Sequence, residues 1–195
     1  MKESEIKKYQ RLNAIAEQNG IVVFGGNTDK EIPLCELRQS YQVEQKMYNR
    51  SISELSIKEA IVVYDACVSC LAPETVLLHI GVSDIALFTN TPAEFDTAYC
   101  SLISHIRSQD KNVRIAVISL NNKDGDSIID ELNRHLKYIA DSEHCEFVDI
   151  DKAKLWKPKN AMSAAAFVAS LGFVHPLKYK RPLYDLVKML YCCEA

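Results

Sequence analysis

Four apolar runs of strand length punctuate the chain: "IVVF" at 21–24, "TVLLHIG" at 75–81, "NVRIAVIS" at 112–119 and "CEFVDI" at 145–150. Each is apolar nearly throughout instead of alternating, the pattern of parallel strands covered on both faces. Between them the period lengthens to that of helices. In "TPAEFDTAYCSLISHIRSQD", Thr91 stands at a predicted N-cap with Pro92 at the first helical position, and Phe95, Tyr99, Leu102 and Ile106 share one face. "DGDSIIDELNRHLKYIADS" repeats the pattern with Ile128, Leu132, Leu136 and Ile139. The first 19 residues predict a further helix, with Ile6, Tyr9, Leu12 and Ile15 spaced three apart. "PLYDLVKMLYCC" near the end predicts a closing helix, and "KAKLWKPKNAMSAAAFVASLG" is the least regular stretch, read as a surface excursion.

Strand alternating with helix predicts a three-layer α/β/α sandwich around a mostly parallel sheet. The 195 residues suit one domain, 1–195, with the N-terminal helix packed on it. In such sheets ligands bind beyond the carboxyl ends of the strands. The loops there are "GGNTD" after the first strand, "GVSD" after the "VLLHI" strand and a loop containing "GFVHP" near the end.

Charge narrows the partners. A formal net charge of -3 leaves no basic surface to neutralise a run of phosphates, so no nucleic-acid partner is expected. No apolar stretch approaches the roughly 18 residues of a spanning helix, so no membrane partner is expected either. Seven cysteines, an odd number without a secretory signal, predict reduced thiols and a cytoplasmic setting. Cys67 and Cys70 form one C-x-x-C within a predicted helix, but no second pair completes a zinc site. His79 lies within a strand and reads as a core histidine, while His105, His135 and His144 have no matching cluster. No metal or cofactor is expected.

With the three loops in place, the sequence resembles the SGNH, or GDSL-type, hydrolase superfamily of esterases and acylhydrolases, from about residue 20 to residue 190. "IVVFGGN" lies on the block in which a strand is followed by G-D-S or G-S-S. "YNRSIS" at 48–53 is close to N-R-G-I-S-G, "IGVSD" to a strand ending in G-x-N-D, and "GFVHP" to D-x-x-H-P. The resemblance implies a flavodoxin-like fold with a five-stranded sheet. It also implies a serine nucleophile, a histidine base oriented by an aspartate, and an oxyanion site built from backbone and side-chain donors.

The departures fall on those residues. By position the serine becomes Asn27, the oxyanion glycine Ser51, the oxyanion asparagine Ser83 and the aspartate Gly172, so that only the histidine, His175, is kept. A carboxamide has no ionisable hydroxyl and forms no acyl-enzyme. Losing the nucleophile of a comparable triad costs about a million-fold in turnover. Losing the aspartate costs roughly ten-thousand-fold, and a missing oxyanion donor about a hundred- to a thousand-fold.

Two readings of function follow. In the first, the chain is a catalytically inactive relative whose cleft binds a small acylated or carbohydrate ligand, or a protein partner. In the second, with the register moved by one, Thr28 is the nucleophile and His175 its base in an active ester hydrolase. Beside the first stands a plainer reading of Asn27 as a turn residue, since asparagine bonds its own main chain and tolerates left-handed backbone. Asp84, Asn49 and Arg50 read as residues that organise these loops.

Overall fold

The computed structural model describes residues 2–40, 43–122, 124–150, 187, 190 and 191. Each of the four apolar runs becomes a strand, and a fifth joins them: β1 Ile21–Gly25, β2 Met47–Asn49, β3 Thr75–His79, β4 Arg114–Ile118 and β5 Glu146–Val148. All pairings are parallel and the order is β2-β1-β3-β4-β5, the flavodoxin-like order. Strand β2 has no apolar run to announce it. It is three residues long and lies at the sheet edge, and Tyr48 and Asn49 are only half-buried.

Burial on both faces explains the unbroken apolar runs. Val22, Phe24, Val76, Leu78, Ile115 and Val117 pack under one layer, formed by α3 Ile57–Cys67, α5 Pro92–Gln109 and α6 Ser127–Ser142. Ile21, Val23, Leu77, Ala116 and Ile118 point the other way. There they meet Leu34 of α2 Leu34–Ser40, together with Val187 and Leu190. A short α4, Ile85–Asn90, precedes α5. The result is the expected three-layer α/β/α arrangement.

The helix signals hold with local corrections. In α5, Pro92 occupies the first turn and Phe95, Tyr99, Leu102 and Ile106 are buried. The Thr91 hydroxyl does not cap the helix; its one proton is shared between the Leu87 carbonyl of the preceding helix at 3.2 Å and the Glu94 carboxylate at 3.1 Å. In α6, Asp126 caps the helix by accepting the Ile128 N–H at 2.8 Å, and Leu132, Leu136 and Ile139 are buried; Ile128, in the first turn, stays more exposed.

The first helix, α1 Lys2–Asn13, is shorter than its period suggests. Ile6 and Tyr9 pack on the core, but Ile15 lies beyond the helix end and is 83% exposed. The chain leaves the helix at Asn13, whose amide donates to the Cys67 carbonyl at 2.7 Å. The irregular stretch after residue 150, and most of the predicted closing helix, lie outside the described residues.

Candidate functional site

Strand β1 delivers Gly25 and Gly26 to the rim of the sheet, where residues Asn27–Glu31 form a 3-10 turn. A Cβ on Gly25 would sit 1.9 Å from Asp29 Oδ2 and 2.8 Å from the His79 carbonyl oxygen. The glycine is therefore required by a neighbouring side chain of the same turn. Asp29 folds back beneath the turn, fully buried. Its Oδ2 accepts the Gly26 N–H at 2.9 Å and its Oδ1 lies 2.7 Å from His79 Nδ1. Gly25 and His79 are register partners on adjacent strands, which brings the carboxylate and the imidazole together.

The Tyr191 ring stands edge-on to His79 at 5.1 Å. Burial, then the nearby Asp29 carboxylate, raises the Tyr191 pKa well above the usual phenol value. The hydroxyl approaches Asp29 without completing a hydrogen bond of good geometry. Among the described residues, His79 Nε2 likewise has no hydrogen-bond partner. Sequence reasoning missed this Asp29–His79 pair. Its signals were a carboxylate two residues past the nucleophile position and a histidine inside an apolar strand.

The loop after β2 is tied to the same turn. Asn27 is exposed, and its Oδ1 accepts the Glu54 N–H at 3.2 Å. Glu54 has a left-handed φ of 53°, a conformation uncommon outside glycine. Asn49 bridges the two segments, donating from Nδ2 to the Asp29 carbonyl at 2.6 Å and accepting the Ser51 N–H on Oδ1 at 3.0 Å. Ser51, at the predicted oxyanion-glycine position, is thus buried with its N–H already bonded. Thr28 is exposed, and its hydroxyl makes no hydrogen bond among the described residues.

Ser83 is exposed on the 3-10 turn Val82–Asp84 after β3. Asp84 beside it is buried and organises a loop, as expected. Its carboxylate accepts the Ser56 hydroxyl at 2.7 Å and the Ile57 N–H at 2.9 Å, at the start of α3. Burial raises its pKa, with those two bonds acting against the rise. His175 and Gly172 lie outside the described residues. Of the predicted positions, the rim after β1 and β2 therefore joins Asn27 and Ser51 through Glu54 and Asn49, with Ser83 on the neighbouring strand end.

Further supports hold the rim from behind. The buried Arg50 guanidinium donates to Asn13 Oδ1 at 2.9 Å and to the Asn49 carbonyl at 2.8 Å, and stacks between Tyr9 and Tyr48 at 5.1 and 5.3 Å from their ring centres. Glu5 of α1 accepts the Ser53 N–H at 2.9 Å and the Ser53 hydroxyl at 2.8 Å, and pairs with Lys30. Lys30 also donates to Ser53 Oγ at 2.6 Å.

The cysteine pair straddles a helix end instead of lying within a helix. Cys67 closes α3, and Cys70 sits exposed in the 3-10 turn Ser69–Leu71. Burial pushes the Cys67 thiol up to about 11 despite the nearby Arg50 charge, which disfavours the thiolate needed for exchange. On the outer face of α5, an open groove of about 740 Å³ is lined by Ile61, Asp96, Cys100, His105 and Glu143, among others.

No protein-family model and no curated protein matches the sequence. Solved structures do match in fold. A Streptococcus pneumonia protein described as a platelet activating factor shares 20% identity at a TM-score of 0.65, covering 83% of this chain and 78% of its own. A GDSL-like lipase from Bacteroides thetaiotaomicron shares 20% identity at a TM-score of 0.58, covering 74% and 77%. An acetyl xylan esterase from Geobacillus stearothermophilus shares 16% identity at a TM-score of 0.55, covering 83% and 99%. At these identities the likeness establishes the fold.

Proposed function

The chain has the fold of the SGNH and GDSL-type hydrolases, and on that scaffold we propose a binding protein that has given up acyl transfer. Its cleft, at the carboxyl ends of β1, β2 and β3, takes a small acylated or carbohydrate ligand. One observation carries this reading. The side chain at the nucleophile position is a carboxamide whose oxygen is engaged with the Glu54 N–H at 3.2 Å. It offers no hydroxyl for a base to deprotonate. The Ser51 N–H supports the reading, since it is bonded to Asn49 Oδ1 and so is not turned to a developing oxyanion.

The exposed, unengaged hydroxyl of Thr28 favours one alternative, an active ester hydrolase using Thr28 with His175. Incubation with short-chain p-nitrophenyl esters and a fluorophosphonate probe separates the two. The binding reading expects neither turnover nor labelling from protein whose circular dichroism shows it folded. Turnover that disappears in both Thr28→Ala and His175→Ala would overturn it and establish the alternative.

A further inference from the structure

We propose that the outer helical face is the interface of a homodimer in which α1 of each copy lies in the α5 groove of the other. This surface is separate from the rim after β1 and does not depend on what the cleft binds. The floor of the groove is the outward side of α5, where Thr97, Ser101, Ser104 and Ser108 are small and exposed. The hydroxyls of Thr97, Ser101 and Ser108 donate back to the carbonyls of Ala93, Thr97 and His105 at 2.7, 2.8 and 2.7 Å. Such a floor lets a second helix approach closely along about 18 Å, the rise from Asp96 to Ser108.

Charge indicates which helix fits. Asp96 and Glu143 line the groove and Asp65 borders it through His105. Asp65 and Asp96 are bonded to His105 and His135, and none of the three carboxylates has a lysine or arginine within ion-pair distance among the described residues. The chain carries the complement on α1. Lys7, Lys8 and Arg11 are exposed on the side of that helix opposite Ile6 and Tyr9, and they have no ion-pair partner among the described residues. With 12 residues, α1 also spans about 18 Å.

The order of helices in the layer makes the match reciprocal. Helix α1 packs on α3, and α3 on α5. A two-fold axis running along α3 therefore carries each α1 onto the partner's α5 and sets α3 against α3. The three helices run the same way: Lys2 pairs with Glu59 and Asn13 reaches the Cys67 carbonyl, while Glu94 pairs with Lys58 and His105 with Asp65. The axis preserves these levels. Arg11 then meets the other copy's groove near His105 and Asp65, and Lys7 and Lys8 meet it nearer Cys100 and Glu143. Val62, between Lys58 and Asp65 on α3 and 72% exposed, falls at the axis and gives the interface an apolar centre.

The test is sedimentation velocity of the full chain and of two charge-reversed variants. Wild type is expected to form a concentration-dependent dimer that weakens about tenfold or more as salt is raised from about 50 to 500 mM. The triple variant Lys7→Glu, Lys8→Glu, Arg11→Glu and the double variant Asp65→Lys, Glu143→Lys are each expected to be folded by circular dichroism and monomeric. Acid would face acid in the first and base would face base in the second. Their equimolar mixture is expected to dimerise again, since both groove contacts of a mixed pair are of opposite sign. Damage to the fold does not produce that rescue. Wild type that stays monomeric to about 1 mM, a dimer untouched by either variant, or a mixture that stays monomeric overturns the proposal. If wild type is monomeric, saturable shifts of the amides of residues 97–108 by an added Lys- and Leu-rich helical peptide would assign the groove to another protein instead.

Discussion

Gly25 and Gly26 are adjacent and identical in sequence, yet the structure makes opposite demands on them. A methyl group at 25 meets Asp29 Oδ2 at 1.9 Å and backbone at 2.8 Å, whereas at 26 it meets nothing within 4 Å. Gly25→Ala must displace a buried carboxylate from the imidazole and the N–H that hold it, and is expected to cost about 3 kcal/mol or more. Gly26→Ala is expected to stay within about 0.5 kcal/mol of the parent. Urea denaturation of the two variants checks this, and equal midpoints would contradict the buried placement of Asp29. The same contacts answer what the double glycine is for: its first member admits the side chain of Asp29, so close approach by a substrate is not needed to explain it.

At the scale of elements, α1 is fastened to the rim through Glu5. Burial raises the pKa of this carboxyl, but the hydrogen bonds from Lys30 and Ser53 and the Lys30 charge outweigh it, and the net shift is below the ordinary value of 4.5. A carboxyl whose folded pKa is depressed gives stability that is full above its unfolded pKa and is lost as pH falls through the folded value. Wild type is therefore expected to be more stable than Glu5→Gln near neutral pH, with the gap closing as pH drops below about 4.5. Urea midpoints measured across that range test it, and a gap that is constant with pH would remove Glu5 as the fastener. Elements with many periods were legible in the sequence: α5 and α6 show their buried faces over several turns, and β1, β3 and β4 are apolar nearly throughout. Strand β2 was not legible, because three edge residues, two of them only half-buried, carry no period, and the end of α1 was not, because Asn13 is claimed by the distant Cys67 carbonyl. The strand-end loops located the rim, but the Asp29–His79 pair acquires meaning only once β1 and β3 are neighbours and Gly25 faces His79.

For the whole molecule, the strand order reverses its direction of growth between β1 and β3, which places the crevice there. The segments that reach this crevice are tied to one another by side chains. Asn27 holds Glu54, Asn49 holds both the Ser51 N–H and the Asp29 carbonyl, and Asp29 holds His79. Changes connected in this way do not reverse one at a time, because residues of a catalytic unit are strongly non-additive. By the resemblance alone, Asn27→Ser combined with Gly172→Asp would return a nucleophile and a partner for His175. The shorter serine cannot reach the Glu54 N–H in the same way, however, and the Ser51 N–H would still be bonded to Asn49. The proposed binding role therefore predicts that this double variant folds yet shows no ester turnover above background and no labelling by a fluorophosphonate. Recovery of both activities would mean that the substitutions sit in an otherwise intact hydrolase site, and that the hydrogen bonds of Asn27 and Asn49 give way when an acyl group binds.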